Sequence, residues 1–264
     1  MKTIFLTFIF LLIINTGQAQ SSFFKQNNNN RSLSTKYLPF PSALNFNTSL
    51  QNYAALPSAV YFSGDFTIEC WVYLTATTNW SRIIDFGNGA SSNNVLFSTS
   101  TGTSGNPGLH VGGSQYQANS TVPLNQWVHL AATMTGTSAT IFINGIASGT
   151  ATLVAPANVT RNYNYIGRSN WGWGDAAPDG SFDELRIWSI AKTGAQIQAA
   201  MNSELTGSEP NLVAYFKFNE GIPSGNNSSI TTLINSALTG SMYNATLYNF
   251  TLNNNTSNFV LGKF

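Results

Sequence analysis

Ionisable side chains are scarce in this sequence, where only 8% of the residues are Asp, Glu, Lys or Arg, so each one is worth weighing for chemistry. The stretch Asp179-Gly-Ser-Phe-Asp-Glu-Leu-Arg-Ile-Trp188 holds Asp179, Asp183 and Glu184 together. Asp179-Gly180 suits a tight turn with a positive φ at the glycine, and the residues after it alternate as a strand. Strict alternation sets Asp183, Leu185 and Ile187 on one face and Phe182, Glu184, Arg186 and Trp188 on the other. Large apolar groups on both faces predict a strand covered on both sides and central in its sheet. A carboxylate is costly to bury unpaired. Asp183 therefore has three readings: a structural ion pair or turn cap, a ligand to a metal such as Ca²⁺, or a catalytic acid.

Glycoside hydrolysis needs two carboxyl groups about 5–10 Å apart in one open groove. Asp183 and Glu184 are adjacent and so point to opposite faces, Asp179 sits in the turn, and Glu69 has Thr67 and Trp71 as same-face neighbours. That spacing argues against catalysis. His110 and His129 are the only histidines and neither has a second His or Cys at ligand spacing, so a zinc site is unsupported. No Gly-x-Ser-x-Gly elbow and no phosphate-cradling glycine loop leading into a helix is present. Cys70 is the sole cysteine, which excludes an intrachain disulfide; beside Ile68 and Val72 it reads as a buried, inert thiol.

Binding has better material. Between Arg161 and Asp175, Trp171 and Trp173 alternate with glycines and are flanked by Asn162, Asn164, Asn170 and Asp175, with Tyr163 and Tyr165 close by. Flat aromatic faces beside amide side chains suit a sugar ring, which stacks on the π-face while its hydroxyls take fixed hydrogen bonds. The alternative is that both indoles fold under the loop and seal the edge of the domain. Trp80, beside Asn79 and Arg82, is a second candidate, whereas Trp71, Trp127 and Trp188 lie in strand patterns and read as packing.

These residues need a scaffold, and the chain supplies strands. Lys2, the apolar run Ile4–Ile14 and Gly17-Gln18-Ala19 form a secretory signal with cleavage expected after Ala19, which predicts an exported protein. The run is too short for a membrane span, and no later segment is long and apolar enough for one. Residues 20–42 read as a flexible, Asn-rich leader. Phe66–Leu74 alternates with Phe66, Ile68, Cys70, Val72 and Leu74 on one face. Further strands are expected at 82–86, 95–98, 109–111, 127–132, 140–143, 165–168 and 212–218, and Asn144-Gly145 marks a hairpin. Thr193-Gly-Ala-Gln196 is a capping box, and Ile197, Met201 and Leu205 continue at helical spacing until Gly207 and Pro210. Many short strands and one short helix predict an all-β, two-sheet antiparallel sandwich. A net charge of +1 argues against a nucleic-acid groove or a polybasic membrane patch.

The motifs ALNF (43–46), FTIECWVYL (66–74), QWVHLA (126–131), IFING (141–145), IGR (166–168), DGSFDELRIW (179–188), AQIQA (195–199) and LVAYFKFNEG (212–221) occur in that order. The series resembles the laminin-G-like branch of the concanavalin A-like lectin/glucanase superfamily over about residues 43–220, in its secreted bacterial type. The resemblance implies a jelly roll over 43–221, followed by a C-terminal extension at 222–264. It implies an extracellular, non-catalytic domain that binds carbohydrate or an extracellular protein. It further implies a structural Ca²⁺ held by Asp183, with Asn47 or a carbonyl near Phe46 as partner, although relatives often carry Asp at the position of Asn47. Two alternatives remain: a glycoside hydrolase acting on O-glycosyl bonds, and a purely structural adhesion module.

Overall fold

The computed structural model describes residues 41–172, 175 and 177–264. The expected signal, residues 20–40 of the leader and Trp173 lie outside the described residues, and Ser42, expected at the end of the leader, opens the first strand instead. The first strands are β1 (Ser42–Phe46), β2 (Tyr53–Leu56), β3 (Phe66–Leu74), β4 (Arg82–Gly87) and β5 (Val95–Ser98). They are followed by β6 (Gly108–Val111), β7 (Ser114–Gln117), β8 (Trp127–Thr135), β9 (Ser138–Ile143) and β10 (Ile146–Thr152). Then come β11 (Tyr163–Ile166), β12 (Gly180–Trp188), the helix α1 (Gly194–Ala200) and β13 (Leu212–Phe216). The chain closes with β14 (Thr232–Leu233), β15 (Ala245–Tyr248) and β16 (Phe259–Leu261).

These strands form two antiparallel sheets of eight, as the jelly-roll expectation required. Sheet A runs β10-β9-β8-β3-β12-β1-β16, with β13 also paired to β12; sheet B runs β14-β15-β2-β11-β4-β5-β6-β7. The facing sides bury Phe46, Phe66, Phe86, Phe97, Phe182, Phe216 and Phe259 in one core. Phe46 and Phe182, from neighbouring strands, bring their ring centroids to 4.7 Å. Cys70 is buried in this core, as its neighbours predict.

Residues 222–264, expected as an extension, are part of the sandwich instead. β14 and β15 add to sheet B beside β2, and β16 pairs with β1 in sheet A. Two-residue hairpin chemistry places β9 against β10: Asn144 and Gly145 take φ of 51° and 73°, and Ile143 faces Ile146. Gly180 has φ 151°, and a Cβ there would lie 2.1 Å from the Tyr73 carbonyl oxygen, so only glycine lets β12 approach β3 at this point.

The alternation expected along β12 fails at one residue. Asp183 faces Trp71 and Arg186 faces Glu69, so three steps along β12 span two along β3. Glu184 is the extra residue of this bulge, with φ 54°. Phe182, Leu185 and Ile187 therefore enter the core, while Asp183, Arg186 and Trp188 share the outer face with Trp71, Glu69 and Thr67. Asp183 and Glu184 do not sit on opposite faces, contrary to the expectation from strict alternation.

The outer face of sheet A is largely covered. Thr193 caps α1 in the expected box: its Oγ1 accepts the Gln196 N–H at 3.2 Å and its own N–H donates to Gln196 Oε1 at 2.8 Å. Ile197 then packs on Ala131 and Phe142. The helix stops at Ala200, well before Leu205, because sheet side chains take the carbonyls that would continue it. Trp71 Nε1 donates to Met201 O at 2.6 Å, and Arg186 donates to Ala200 O and Ser203 O at 3.1 and 2.6 Å.

Candidate functional site

Sheet B carries an open outer face. Strand register lines up Tyr165, Asp85, Leu96, His110 and Gln115 across β11, β4, β5, β6 and β7. Ile84, Phe86 and Phe97 enter the core from neighbouring positions, so this row faces outward. The segment after β11 folds back over it and brings in Asn170, Trp171 and Asp175.

Asp85 is the post that holds the segment. Its Oδ1 accepts the side-chain amides of Asn94 and Asn170 at 3.1 and 3.0 Å; its Oδ2 accepts the Asn170 backbone N–H at 2.9 Å and faces Arg82 Nε at 3.5 Å. Burial raises its carboxyl above the ordinary range, while Arg82 and the Asn170 hydrogen bonds pull it back. Four donors occupy both oxygens, so Asp85 has no acceptor capacity left for a substrate.

Arg82 lies at the centre of the face. It sits between two carboxylates, Asp85 and Asp175, with its Nη2 2.7 Å from Asp175 Oδ2, and it also donates to the Trp80 carbonyl. Asp175 Oδ2 accepts the Ser169 hydroxyl at 2.7 Å as well. Two indoles flank the guanidinium, with ring centroids 5.4 Å (Trp80) and 5.8 Å (Trp171) from its carbon. Trp171 keeps 37% of its surface exposed and tilts against the His110 ring at 5.7 Å. Burial lowers the His110 imidazole below its usual range, so it is neutral at pH 7. Trp80 holds a φ of 50°, a left-handed conformation that costs a bulky residue about 1–2 kcal/mol.

Trp80, Arg82, His110, Gln115, Trp171 and Asp175 line a depression of about 300 Å³. A neighbouring one of about 210 Å³ is lined by Tyr163, Tyr165, Arg168, Ser169 and Asn170. Arg168 lies over the rings of Tyr53 and Tyr165 at 4.5 and 4.9 Å, and Tyr53 stacks on Tyr248 at 4.9 Å. Sequence spacing thus anticipated Trp171, Tyr163, Tyr165, Asn170 and Asp175 as one surface, with Trp80 joining it. The Asn170 side-chain nitrogen and Asp175 Oδ2 are spent on the scaffold. Asp85 and His110 were missed as members of the surface. The signal for Asp85 was present: a carboxylate among Ile83, Ile84 and Phe86 must find partners.

The residues expected to hold Ca²⁺ do not converge. Phe46 faces Gly180 and Leu44 faces Phe182, so Asp183 is in register with residue 43. That is four residues from Asn47, roughly 13 Å along the strand. The Phe46 ring is in the core, and Asn47 Oδ1 accepts the N–H groups of Ser49 and Leu50 at 3.0 and 3.3 Å. Asp183 Oδ2 accepts the Lys263 N–H at 2.7 Å instead, and burial pushes its carboxyl up to about 8. Among the described residues, no cluster of three His, Cys, Asp or Glu side chains is placed to hold a metal.

The other carboxylates of sheet A are sealed. Glu69 Oε1 accepts Trp188 Nε1 at 2.8 Å and Lys192 Nζ at 3.3 Å, and lies 3.8 Å from Arg186. Glu184 Oε2 accepts Arg186 Nη2 and the Tyr215 hydroxyl, both at 2.5 Å. His129 Nε2 is 3.6 Å from Glu69, yet burial pushes the imidazole down to about 4. The bulge does bring Glu69 and Glu184 to one face, but both are buried and paired, with no route to a sugar.

A family model for the concanavalin A-like lectin/glucanases superfamily matches residues 47–198. No curated protein matches the chain. Among solved structures, the chain is similar to a Bacteroides ovatus protein provisionally described as carbohydrate binding. The TM-score is 0.59 at 21% identity, covering 80% of this chain and 58% of that one, so less than two thirds of the other protein is matched. It is also similar to domain 4 of AbnA, an extracellular GH43 arabinanase of Geobacillus stearothermophilus, solved in complex with arabinotriose. There the TM-score is 0.50 at 26% identity, covering 60% of this chain and 75% of that one.

Proposed function

Because the chain belongs to the laminin-G-like, concanavalin A-like lectin/glucanase superfamily, we propose that it is a non-catalytic carbohydrate-binding domain working outside the cell. Its recognition surface is the outer face of sheet B. One observation carries this reading: Trp80 and Trp171 flank Arg82, which pairs with the buried Asp85, beside an open depression. The part-exposed indoles supply stacking faces, and the exposed Gln115 supplies an amide at the rim, while Arg82, 3% exposed, is spent on holding the floor. The unfavourable backbone of Trp80 supports the same reading, since strain of this kind gathers at functional sites. The arabinotriose complex of the related arabinanase domain supports the ligand class. The signal-like start, Lys2 with Ile4–Ile14, supports export. Among the described residues, no helix is long and apolar enough to cross a membrane.

The charges on this face favour an uncharged glycan. Arg82 and Arg168 bring two positive charges, Asp85 and Asp175 bring two negative ones, and His110 is neutral. The reading against catalysis now rests on occupancy rather than on strand alternation. The carboxylates of sheet A are buried, and Asp85 has all its acceptor sites filled.

Calorimetric titration of the full chain with arabinotriose, xylotriose, cellotriose and maltotriose tests the proposal. At least one should bind, and Trp171→Ala should weaken it without lowering the unfolding midpoint. Equal binding by the variant would sink the sheet B assignment. Release of reducing ends from a polysaccharide by the wild-type chain would restore the hydrolase reading.

A further inference from the structure

Sheet A is not covered to its end. Past the reach of α1, the register lines up Asn45, Ser181, Tyr73 and Trp127 across β1, β12, β3 and β8. This row lies two residues along from the covered row of Asp183, Trp71 and His129, and so on the same outer face. With Thr75 and Leu261 it borders a depression of about 370 Å³, within the ordinary range of small-ligand sites, ~300–1,000 Å³.

We propose that this depression is a second saccharide-binding site, for a neutral sugar unit, on the opposite side of the sandwich from the first. Its chemistry differs from a packing surface in three ways. The rings of Tyr73 and Trp127 stand 5.7 Å apart at 67°, both half-buried, which leaves an aromatic corner rather than a closed stack. Among the described residues, neither the Tyr73 hydroxyl nor the Trp127 indole N–H has a protein hydrogen-bond partner, so two directional polar groups on fixed rings face the solvent. The lining contains no charged side chain at all. An aromatic corner with free O–H and N–H groups and no charge matches a sugar hydroxyl array, and gives nothing to hold a phosphate, a carboxylate or an amine. Leu261, 72% exposed, walls one side and suits the apolar edge of a pyranose or furanose.

The floor is rigid, as a site requires. Asn45 Nδ2 donates to Gly180 O at 3.2 Å and to Ser181 Oγ at 3.1 Å, and its Oδ1 accepts the Ser257 N–H at 2.9 Å. Asn45 therefore positions the Ser181 hydroxyl rather than contacting ligand with its own amide. Two sites on opposite faces make the domain bivalent, able to bridge two glycan chains.

The test uses the full chain with Trp171→Ala as background, which weakens the sheet B site. The same four neutral trisaccharides are titrated into this variant, into Trp127→Ala, and into the double variant. Retained binding in Trp171→Ala that disappears in the double variant is the expected result, with two equivalents bound by the wild type where both faces accept one probe. Tyr73→Phe keeps the packing and removes only the hydroxyl; it should weaken the residual binding about 3- to 10-fold, and it covers the case in which Trp127→Ala fails to fold. No binding of any neutral trisaccharide to Trp171→Ala would overturn the proposal. So would residual binding untouched by Trp127→Ala and Tyr73→Phe, or a preference of that variant for oligogalacturonate over neutral probes. Failure of the sheet B reading looks different: Trp171→Ala would then bind as the wild type does, and Trp127→Ala alone would abolish binding.

Discussion

Arg186 on sheet A and Arg82 on sheet B are built alike and do different things. Each sits between two carboxylates, Glu69 and Glu184 for one, Asp85 and Asp175 for the other. Each lies near aromatic rings. The difference is the roof. Carbonyls at the end of α1 close over Arg186, whose side chain is 1% exposed, and turn the cluster into a fastening for the helix. Arg82 is nearly as buried, at 3% exposed, but its cover is two half-exposed indoles, and the same arrangement becomes the floor of an open depression. A buried ion cluster and a binding surface can therefore share one side-chain plan, and what covers it decides which it is.

The strongest way to test that contrast is to remove each arginine. Arg186→Met strands two buried carboxylates, and breaking a pair of this kind costs about 3–5 kcal/mol. The thermal midpoint should fall by about 10 °C or more. Arg82→Met should cost less, because Asp175 can reach water and the buried Asp85 keeps its hydrogen bonds from Asn94 and Asn170, and its main effect should appear in sugar titrations. Equal losses of stability would break the comparison.

Next in size is Trp171→Ala, which should weaken binding on sheet B by about 30-fold, the scale of a central aromatic anchor. Unfolding curves should superimpose on the wild type.

The covered face should also respond to pH. Burial pushes Asp183 up to about 8 from an ordinary value near 3.8, so its contribution to stability is complete below pH 4 and is lost as pH rises toward about 8. Burial pushes His129 the other way, from 6.5 down to about 4, so its contribution is complete above 6.5 and is lost as pH falls toward about 4. Asp183→Asn keeps an acceptor for the Lys263 N–H and removes the first dependence. The midpoint of Asp183→Asn minus that of the wild type should climb between pH 4 and 8 and level off beyond; a flat difference would show that Asp183 does not titrate on folding.

The smallest expected effect is at the helix. Thr193→Ala removes half of the capping box and should cost about 1 kcal/mol. Hydrogen exchange should quicken in α1 and leave the outer face of sheet B unchanged.

Much of this was legible in the chain. Phe66–Leu74 alternates without a break and forms a strand with those same ends, and Asn144-Gly145 makes the turn its residue types demand. The loop carrying Trp171, Asn170 and Asp175 was recognisable because indoles, glycines and amides rarely crowd together by chance. Other features were not legible, for physical reasons. The bulge at Glu184 is one extra residue in an otherwise regular alternation, and only pairing with β3 reveals it. It put Asp183 and Glu184, assigned to opposite faces, on the same outer face. The short strands β14, β15 and β16 exist through distant partners rather than through their own pattern. The helix was expected to reach Leu205 because periodicity cannot show that Trp71 and Arg186 would take its carbonyls.

The strand β12 pairs with β3 and β13, and also with β1, which in turn pairs with β16. Sheet A is thus stitched from the first and last strands of the domain through a strand late in the sequence. Such non-local pairing must close long loops before it gains contacts, and this slows folding. The domain cannot complete its sandwich while the final strands are still being synthesised. A chain cut just before Phe259 should leave β1 without its outer neighbour, an open edge to which other strands can add. For this protein, then, the order of synthesis sets the moment of folding, and an arrested or clipped chain is the form most exposed to aggregation.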